Sequence, residues 1–538
     1  MRKIQPLPHD LSLISYPNPR RFLIIVMALA TVIYALSING FLEIADDNAH
    51  FVILARSLAS GKGYTFTADP TDHPDVQYPP LFPMMLAPVA YLAPGNLVAL
   101  KCVSLFFMVS AIWPLYALLR RSTGEGWARA VTVLWAVSPS VVVFSHMVMV
   151  EALYCAVSFT ALCLMEKEYD GELRAPTHWV LMIFFLAAAF YTRLLGVSLL
   201  LTALFVIGTR RSAWLTTGLI VILGVVTAPW FIRGAQVGMR YADEFRYYTP
   251  DVSSMAEWVG SNIFHLLDRD LPDLLFYPIL TPITAESKWW AMKLLFGTAL
   301  AIFIIIGFIS RLHGAGWTGG FWSLLRNIRP IEMYVLIYLG MCMGWNRYFP
   351  RHYMPLMAFF WLYLFLGIDS VLGRVAVKSS SIRMERAGAA LFLAALLAAG
   401  AGSAREIYKR RTNFQIPSIA SLVQAADWVR SNVRKEELIL SRRWRWTYVM
   451  TGGIRGIGLW DPGEPEHDIA LVRSSGARYL LLDDTPPFYD TGQGRWDRLL
   501  AYYGKHFQPV FSTTSGSPAM VYRIHGLETG AILPPAKK

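Results

Sequence analysis

The stretch Glu43–Tyr64, EIADDNAHFVILARSLASGKGY, follows directly on an apolar run that begins near Phe22 and ends near Gly40. Two adjacent aspartates, Asp46 and Asp47, open it. Behind them Phe51, Leu54 and Leu58 recur at helical spacing, with Ile53 alongside, until Gly61-Lys62-Gly63 ends the pattern. The spacing predicts a helix from about Asp47, with Asp46 outside it or capping it, lying along the membrane surface. Aspartate is a preferred helix cap, and its charge suits a helix N-terminus. The same position, just past a membrane-length run, is also where a membrane enzyme would place a carboxylate for a lipid-borne substrate.

Composition decides the class. The chain of 538 residues is 55% hydrophobic and only 16% charged, too apolar for an ordinary soluble enzyme. Eleven apolar runs approach or reach the roughly 20 residues that cross a bilayer. They lie at about 22–40, 97–119, 129–146, 149–165, 178–191, 194–209, 213–231, 289–310, 331–344, 353–372 and 387–403. With the N-terminus cytoplasmic, Arg20, Arg21, Arg120, Arg121, Arg129, Arg210, Arg211, Arg311, Arg326 and Arg329 fall in cytoplasmic loops. Glu43, Asp46, Asp47, Asp69, Asp72 and Asp75, then Asp268, Asp270 and Asp273, fall in opposite-face loops. That asymmetry supports this orientation more strongly than any single span boundary, and it accounts for the net charge of +12 without nucleic acid. The first run lacks a small-residue cleavage site and reads as a retained span. Cys102, Cys155, Cys163 and Cys342 sit in or beside apolar runs, so no structural disulfide and no metal-ligand spacing is expected.

The chain thus divides into a membrane part, residues 1–404, with long outer loops at 40–96 and 232–288, and an outer domain, 405–538. In the second loop Met255, Trp258, Val259, Asn262, Ile263, Leu266 and Leu267 predict a helix in the membrane interface. In the tail SIASLVQAADWVRSNV reads as a helix, and ELILS, ARYLLLDD and PAMVYRI as strands, giving a small α/β domain. TGGIRGIG does not follow the dinucleotide-binding pattern and reads as a loop. No internal repeat is visible, which counts against a secondary transporter.

DDNAHFVILARSLASGKGY resembles the first outer loop of GT-C glycosyltransferases, the group of the protein O-mannosyltransferases and the lipid A aminoarabinose transferase. YPPLFPMMLAP, from Tyr78, is similar to that family's x-P-P-L segment, and NRYFPRHYMPLMAFFWLYL, from Asn346, to its late R-Y-x-x-P loop. The span count and the outer C-terminal domain match as well. The resemblance implies a transferase whose donor is a sugar on a polyprenyl phosphate, and whose general base is an aspartate in the first outer loop. Counting back from Ala55-Arg56 places that aspartate at Asp47; Asn48 takes the family's second acidic position, and Asp46 is an extra neighbour. In the aminoarabinose branch a lysine precedes the Pro-Pro pair; here Tyr78 stands there.

A carboxylate of ordinary pKa near 4 does not deprotonate an alcohol in the ground state, but it orients the hydroxyl and accepts its proton as the sugar C–O bond breaks. The leaving polyprenyl phosphate needs positive charge, and attack opposite it inverts the anomeric centre. Arg193, Arg347 and Arg351, at outer span ends, are the candidate cations; the alternative is snorkelling to the interface. Glu151 opens the fourth span and is a candidate by its depth, or a helix-start charge. His50, one turn after Asp47, is placed to touch it. His146 and His352 read as structural. No cofactor is expected; these ligands are too few for an obligatory metal, with a divalent ion the open possibility. The expected protein is therefore an inner-membrane, multi-pass glycosyltransferase acting on the periplasmic face. It would take a lipid-linked sugar donor and a glycan, lipid or protein acceptor. A transporter or flippase of a lipid-linked sugar is the alternative, favoured only if ionisable groups line the middle of the membrane.

Overall fold

A computed structural model describes residues 18–44, 46–172, 175–238, 252–276, 287–344, 350–375, 381–412, 416–458, 465–483, 485, 499–514 and 518–527. Each of the apolar runs read from the sequence is helical. Among the described residues six helices are long and apolar enough to cross a membrane: Pro19–Ser37, Leu97–Thr123, Ala213–Val237, Trp290–Gly314, Arg351–Leu372 and Ala389–Thr412. Glu125–Ala136 and Pro139–His146, bent by 55° at their junction, make a seventh if read as one span. Pro176–Thr192, Leu194–Arg210 and Pro330–Met343 are shorter apolar helices. The last long helix, Ser381–Thr412, runs past residue 404, the expected end of the membrane part.

Local chemistry sets the boundaries. Asn18 caps the first helix, its side-chain oxygen accepting from the backbone of Arg20 and Arg21, with Pro19 at the first helical position. Gly124, at φ 102°, ends Leu97–Thr123 and lets the chain turn into the next helix. Helices Trp290–Gly314 and Met357–Val375 cross at Gly307 and Gly367. A Cβ on Gly307 would meet the backbone of Tyr363, and one on Gly367 the backbone of Phe303.

The acidic helix spans Asp46–Ala59 and begins with both aspartates. It does not lie along the membrane surface with one face exposed. Asn48 through Ala55 are all buried, between the helix Leu81–Leu92 on one side and the helix Trp444–Met450 of the tail on the other. Ala49, Val52, Ile53 and Ala55 make the helix apolar almost all round, the pattern of a fully buried helix rather than of a surface stripe. The helix Leu81–Leu92 was not expected; it grows from the Pro-Pro segment and exposes Met84, Met85, Tyr91 and Leu92. Between the two lies a small hairpin, β1 Thr65–Phe66 and β2 His73–Pro74.

The tail is a small α/β unit. Its five strands are β3 Ile439–Ser441, β4 Gly456–Ile457, β5 Tyr479–Leu482, β6 Phe507–Ser512 and β7 Met520–Ile524, in the order β4-β3-β5-β7-β6. β3 is parallel to β4 and β5; β7 is antiparallel to β5 and β6. The helix read from SIASLVQAADWVRSNV is Pro417–Asn432. TGGIRGIG is not wholly a loop, since its Gly456-Ile457 forms β4. A Cβ on Gly456 would stand 3.1 Å from the Trp444 side chain and 3.2 Å from the Ile439 carbonyl. In the second long loop, Val252–His265 is helical as expected and continues through Leu266–Asp270 into Leu271–Phe276. There Asn262 is buried and donates to the Met343 carbonyl at 2.8 Å, while Ile263 is exposed.

The tail docks directly on the first loop. Trp446 is fully buried and its Nε1 donates to the Leu42 carbonyl at 2.9 Å. The Gly456 amide donates to the Ala68 carbonyl at 2.9 Å, and Arg455 pairs with both oxygens of Asp72 at 2.8 and 2.9 Å. At the other end of the bundle Arg329 pairs with Glu166 at 2.5 Å and with Asp170 at 3.1 Å, Arg121 with Asp170 at 2.7 Å, and Arg311 with Glu332 at 3.0 Å.

Candidate active site

The first turn of the acidic helix carries Asp47 into a ring of polar groups drawn from four parts of the chain. Its Oδ1 accepts from the Tyr78 hydroxyl and its Oδ2 from Arg351 Nη2 at 2.5 Å. Arg351 Nε stands 3.7 Å from Glu151 Oε1, and Arg193 Nη1 3.6 Å from the same oxygen. Glu151 is fully buried, and neither oxygen has a hydrogen-bond partner among the described residues. The result is a continuous line, Tyr78–Asp47–Arg351–Glu151–Arg193, from the loop before Leu81 to the break after Thr192. Asp47 and Arg351 each keep a fifth of their side-chain surface exposed, so the line is open to a ligand at its centre.

The structure brings five of the residues singled out in the sequence, Asp47, Tyr78, Glu151, Arg193 and Arg351, into one place. Arg347 lies outside the described residues. His50 does not touch Asp47. It is buried, its Nε2 stands 2.5 Å from Asp75 Oδ2, and its ring packs edge-on against Tyr78 at 4.8 Å. One helical turn sets His50 beyond the first-turn carboxylate, facing Asp75 just after β2, so it packs in the wall of the site. Tyr78 fills the lysine position of the aminoarabinose branch with a neutral donor aimed at the carboxylate. His146 and His352 are buried; His146 hydrogen-bonds the Val142 carbonyl, and the His352 carbonyl accepts from Tyr338.

The two aspartates are electrostatically unlike. Burial acts to raise Asp47, but the Arg351 charge and the hydrogen bonds from Tyr78 and Arg351 outweigh it and hold the carboxyl below its usual range. Burial pushes Asp46 up, with the charge of Asp47 adding to it; Arg445, Arg443 and Arg442 oppose this without cancelling it. Asp46 Oδ1 is buried without a hydrogen-bond partner among the described residues. Burial, and then the Asp47 charge, push the Tyr78 hydroxyl well up, so it stays a donor. Burial lowers His50, while Asp75 is held low, against burial, by His50 and by the Tyr78 backbone amide. A neutral His50 donating from Nε2 to an ionised Asp75 satisfies both.

Sequence reasoning missed Asp75, Gln77, Arg233 and the arginines of the tail. Asp75 is buried three residues before Tyr78, and its side chain accepts from the backbone amides of Gln77 and Tyr78 at 3.1 and 3.3 Å. Arg233, on the helix Ala213–Val237, clamps the same loop through the carbonyls of Asp75 and Tyr64 at 3.1 and 2.6 Å. The cation–aromatic run SRRWRW, Ser441–Trp446, was the one visible signal for the tail's part.

The helical bundle with its small α/β tail has the GT-C fold, shared with solved membrane glycosyltransferases. The archaeal oligosaccharyltransferase AglB from Archaeoglobus fulgidus, solved with an inhibitory peptide and a dolichol-phosphate, matches with a TM-score of 0.57 at 13% identity, over 93% of this chain and 74% of that one. ArnT from Cupriavidus metallidurans, bound to undecaprenyl phosphate, matches with a TM-score of 0.54 at 14% identity, over 96% of this chain and 100% of that one. More particularly, residues 72–232 match the family described as dolichyl-phosphate-mannose-protein mannosyltransferase. That segment carries Tyr78, Glu151 and Arg193, and the resemblance drawn from the sequence stands. No curated protein sequence matches the chain.

Proposed function

We propose that the chain is a membrane glycosyltransferase that moves a sugar from a polyprenyl-phosphate donor to a hydroxyl acceptor at the outer face, with inversion. One observation carries this reading: an ionised, partly exposed Asp47 held between Tyr78 and Arg351. The acceptor hydroxyl hydrogen-bonds to the carboxylate and attacks the anomeric carbon. The new C–O bond forms from the acceptor oxygen as the bond to the phosphate oxygen breaks. The electron pair leaves with the polyprenyl phosphate, and the hydroxyl proton passes to Asp47. Arg351 and Arg193 face the developing phosphate charge, and Glu151 between them keeps both guanidinium groups in place. In this reading positive charge comes from arginine and the reaction needs no resident divalent ion. The membrane part, 1–404, holds these groups, and the domain from 405 closes the site from outside. The fold analogy leaves sugar and acceptor open. Mass spectrometry of envelope glycans and lipids from a deletion strain tests the reading. Loss of one glycosyl addition, with its unglycosylated acceptor accumulating, supports it; accumulation of an intact lipid-linked sugar on the cytoplasmic side refutes it in favour of transport.

A further inference from the structure

The transferase reading uses cations from the membrane helices, and it leaves unexplained why the tail presents SRRWRW to the same site. Trp444 and Trp446 bury their rings, Trp444 edge-on to Phe66 at 5.4 Å and Trp446 bonded to the Leu42 carbonyl. The two rings fix the backbone between them and so aim Arg445. Its guanidinium lies over the Phe66 ring at 5.5 Å and the Trp444 ring at 5.4 Å, and Nη2 reaches Gln77 Oε1 at 3.5 Å. Gln77 Nε2 in turn approaches the Tyr78 hydroxyl at 3.5 Å, and that hydroxyl holds Asp47. On the other flank Arg443 Nη1 donates to the Ile44 carbonyl at 3.4 Å, two residues before Asp46. The acidic pair is therefore bracketed by Arg445 and Arg443 from the tail and by Arg351 from the bundle.

Among the described residues, Arg193, Arg351, Arg443 and Arg445 set four guanidinium groups around the three carboxylates of Asp46, Asp47 and Glu151, with the Arg442–Asp483 pair beyond them. Burial favours the protonated form of Asp46, which tips the balance further towards positive charge. Arg445 is half-buried, stacked and planar, the state in which a guanidinium fork meets a phosphate at little entropic cost. We propose that Arg445, with Arg443 beside it, binds the phosphate of the lipid-linked donor, so that the C-terminal domain supplies part of the substrate site. This rests on the transferase reading.

The test measures binding of a long-chain polyprenyl phosphate to the purified full-length chain in detergent. Arg445→Ala is expected to weaken it about 10- to 100-fold, the loss of a charge-assisted pair, with Arg445→Lys in between. Polyprenol, which lacks the phosphate, should bind wild type and variant alike. Arg455→Ala loosens the same domain contact at Asp72 without touching the site, and should keep binding within about twofold. Equal binding by wild type and Arg445→Ala overturns the proposal, as does an equal loss in Arg455→Ala, which would make Arg445 a docking residue. If inorganic phosphate binds in an Arg445-dependent way while polyprenyl phosphate binding is Arg445-independent, the anion is not the donor's and the proposal fails. A wild-type chain that binds no polyprenyl phosphate overturns the transferase reading itself.

Discussion

Asp47→Asn separates the helix-cap reading from the chemical one. An asparagine fits the same space and keeps one carbonyl oxygen, which turns to Arg351, while its amide group donates to the Tyr78 hydroxyl. One charge-assisted bond is lost, worth about 1.5–3 kcal/mol, and relief from burying a carboxylate offsets part of it. A net loss of about 1–2 kcal/mol is expected, which lowers the melting temperature by a few degrees. If Asp47 only complemented the helix N-terminus, its removal would cost about 0.3–1 kcal/mol and leave activity alone. If it takes the acceptor proton, transfer falls by about 10²–10⁴-fold, or roughly 3–5.5 kcal/mol of barrier. The assay is glycosyl transfer by the full-length chain in reconstituted membranes, read by mass spectrometry of the product, with thermal unfolding in parallel. Activity within about tenfold of wild type in both Asp47→Asn and Asp46→Asn would refute the base assignment, since Glu151 and Asp75, the other described carboxylates at the site, are buried.

Three further predictions address the site and its frame. Tyr78→Phe removes the hydroxyl that fixes Asp47 Oδ1 and should lower kcat about 10-fold or more with little change in donor KM; an effect on KM alone would contradict a positioning role. Burial raises Asp46, so the folded state holds that proton more tightly than the unfolded chain. Stability is therefore lost as pH rises from the unfolded value of about 3.9 through the folded one, and Asp46→Asn should be at least as stable as wild type at pH 7 and lose that advantage below about pH 4. Thermal unfolding at the two pH values checks this, and a variant less stable than wild type at pH 7 would contradict it. Gly307→Leu forces apart two helices that meet backbone to backbone and should prevent accumulation of folded protein, whereas Gly314→Leu, where a Cβ meets nothing, should be tolerated; size-exclusion profiles compare them.

The bundle was legible because membrane spans declare themselves locally. About 20 apolar residues bounded by arginines need no partner to be recognised. Three of the five tail strands, β3, β5 and β7, were legible for a similar reason, since LILS, YLLL and MVYRI are short apolar runs between turns; β4, two residues in a Gly-rich segment, and β6 carry no such run. The site was legible in part. Asp47, Glu151, Arg193 and Arg351 are all charges at span ends, which marks each of them, but their pairing is not a property of any one segment. Arg351 reaches Asp47 across more than 300 residues, and only the closed bundle makes them neighbours. His50 pairs with Asp75 instead, because sequence spacing gives helical phase but not what faces it, and the segment just after β2 meets that face. The buried state of the acidic helix was hidden for the same reason. Its second apolar face is covered by the helix Trp444–Met450, some 400 residues later, and nothing in the stretch Glu43–Tyr64 points to it.

The distribution of charge along the helices weighs on the choice between transfer and transport. The helix Glu151–Tyr169 carries Glu151 at the site and Glu166 in the ion-pair network with Arg329. At about 1.5 Å per residue the two lie roughly 22 Å apart. Between them runs ALYCAVSFTALCLM, without an Asp, Glu, Lys, Arg or His. The helix Trp290–Gly314 repeats the arrangement, with Lys293 paired to Asp273 near one end, Arg311 paired to Glu332 near the other, and only apolar or small residues between. A carrier that passes a charged headgroup through the bundle needs polar groups along the way. These two helices carry charged side chains near their ends only; between them Ser158, Thr160 and Thr298 turn their hydroxyls back onto carbonyls of their own helix. The network at one end closes on itself in buried ion pairs, while Asp47 and Arg351 at the other remain partly open. On the proposed reading a lipid phosphate reaches the arginines at the open end without crossing the apolar middle, as a transferase requires.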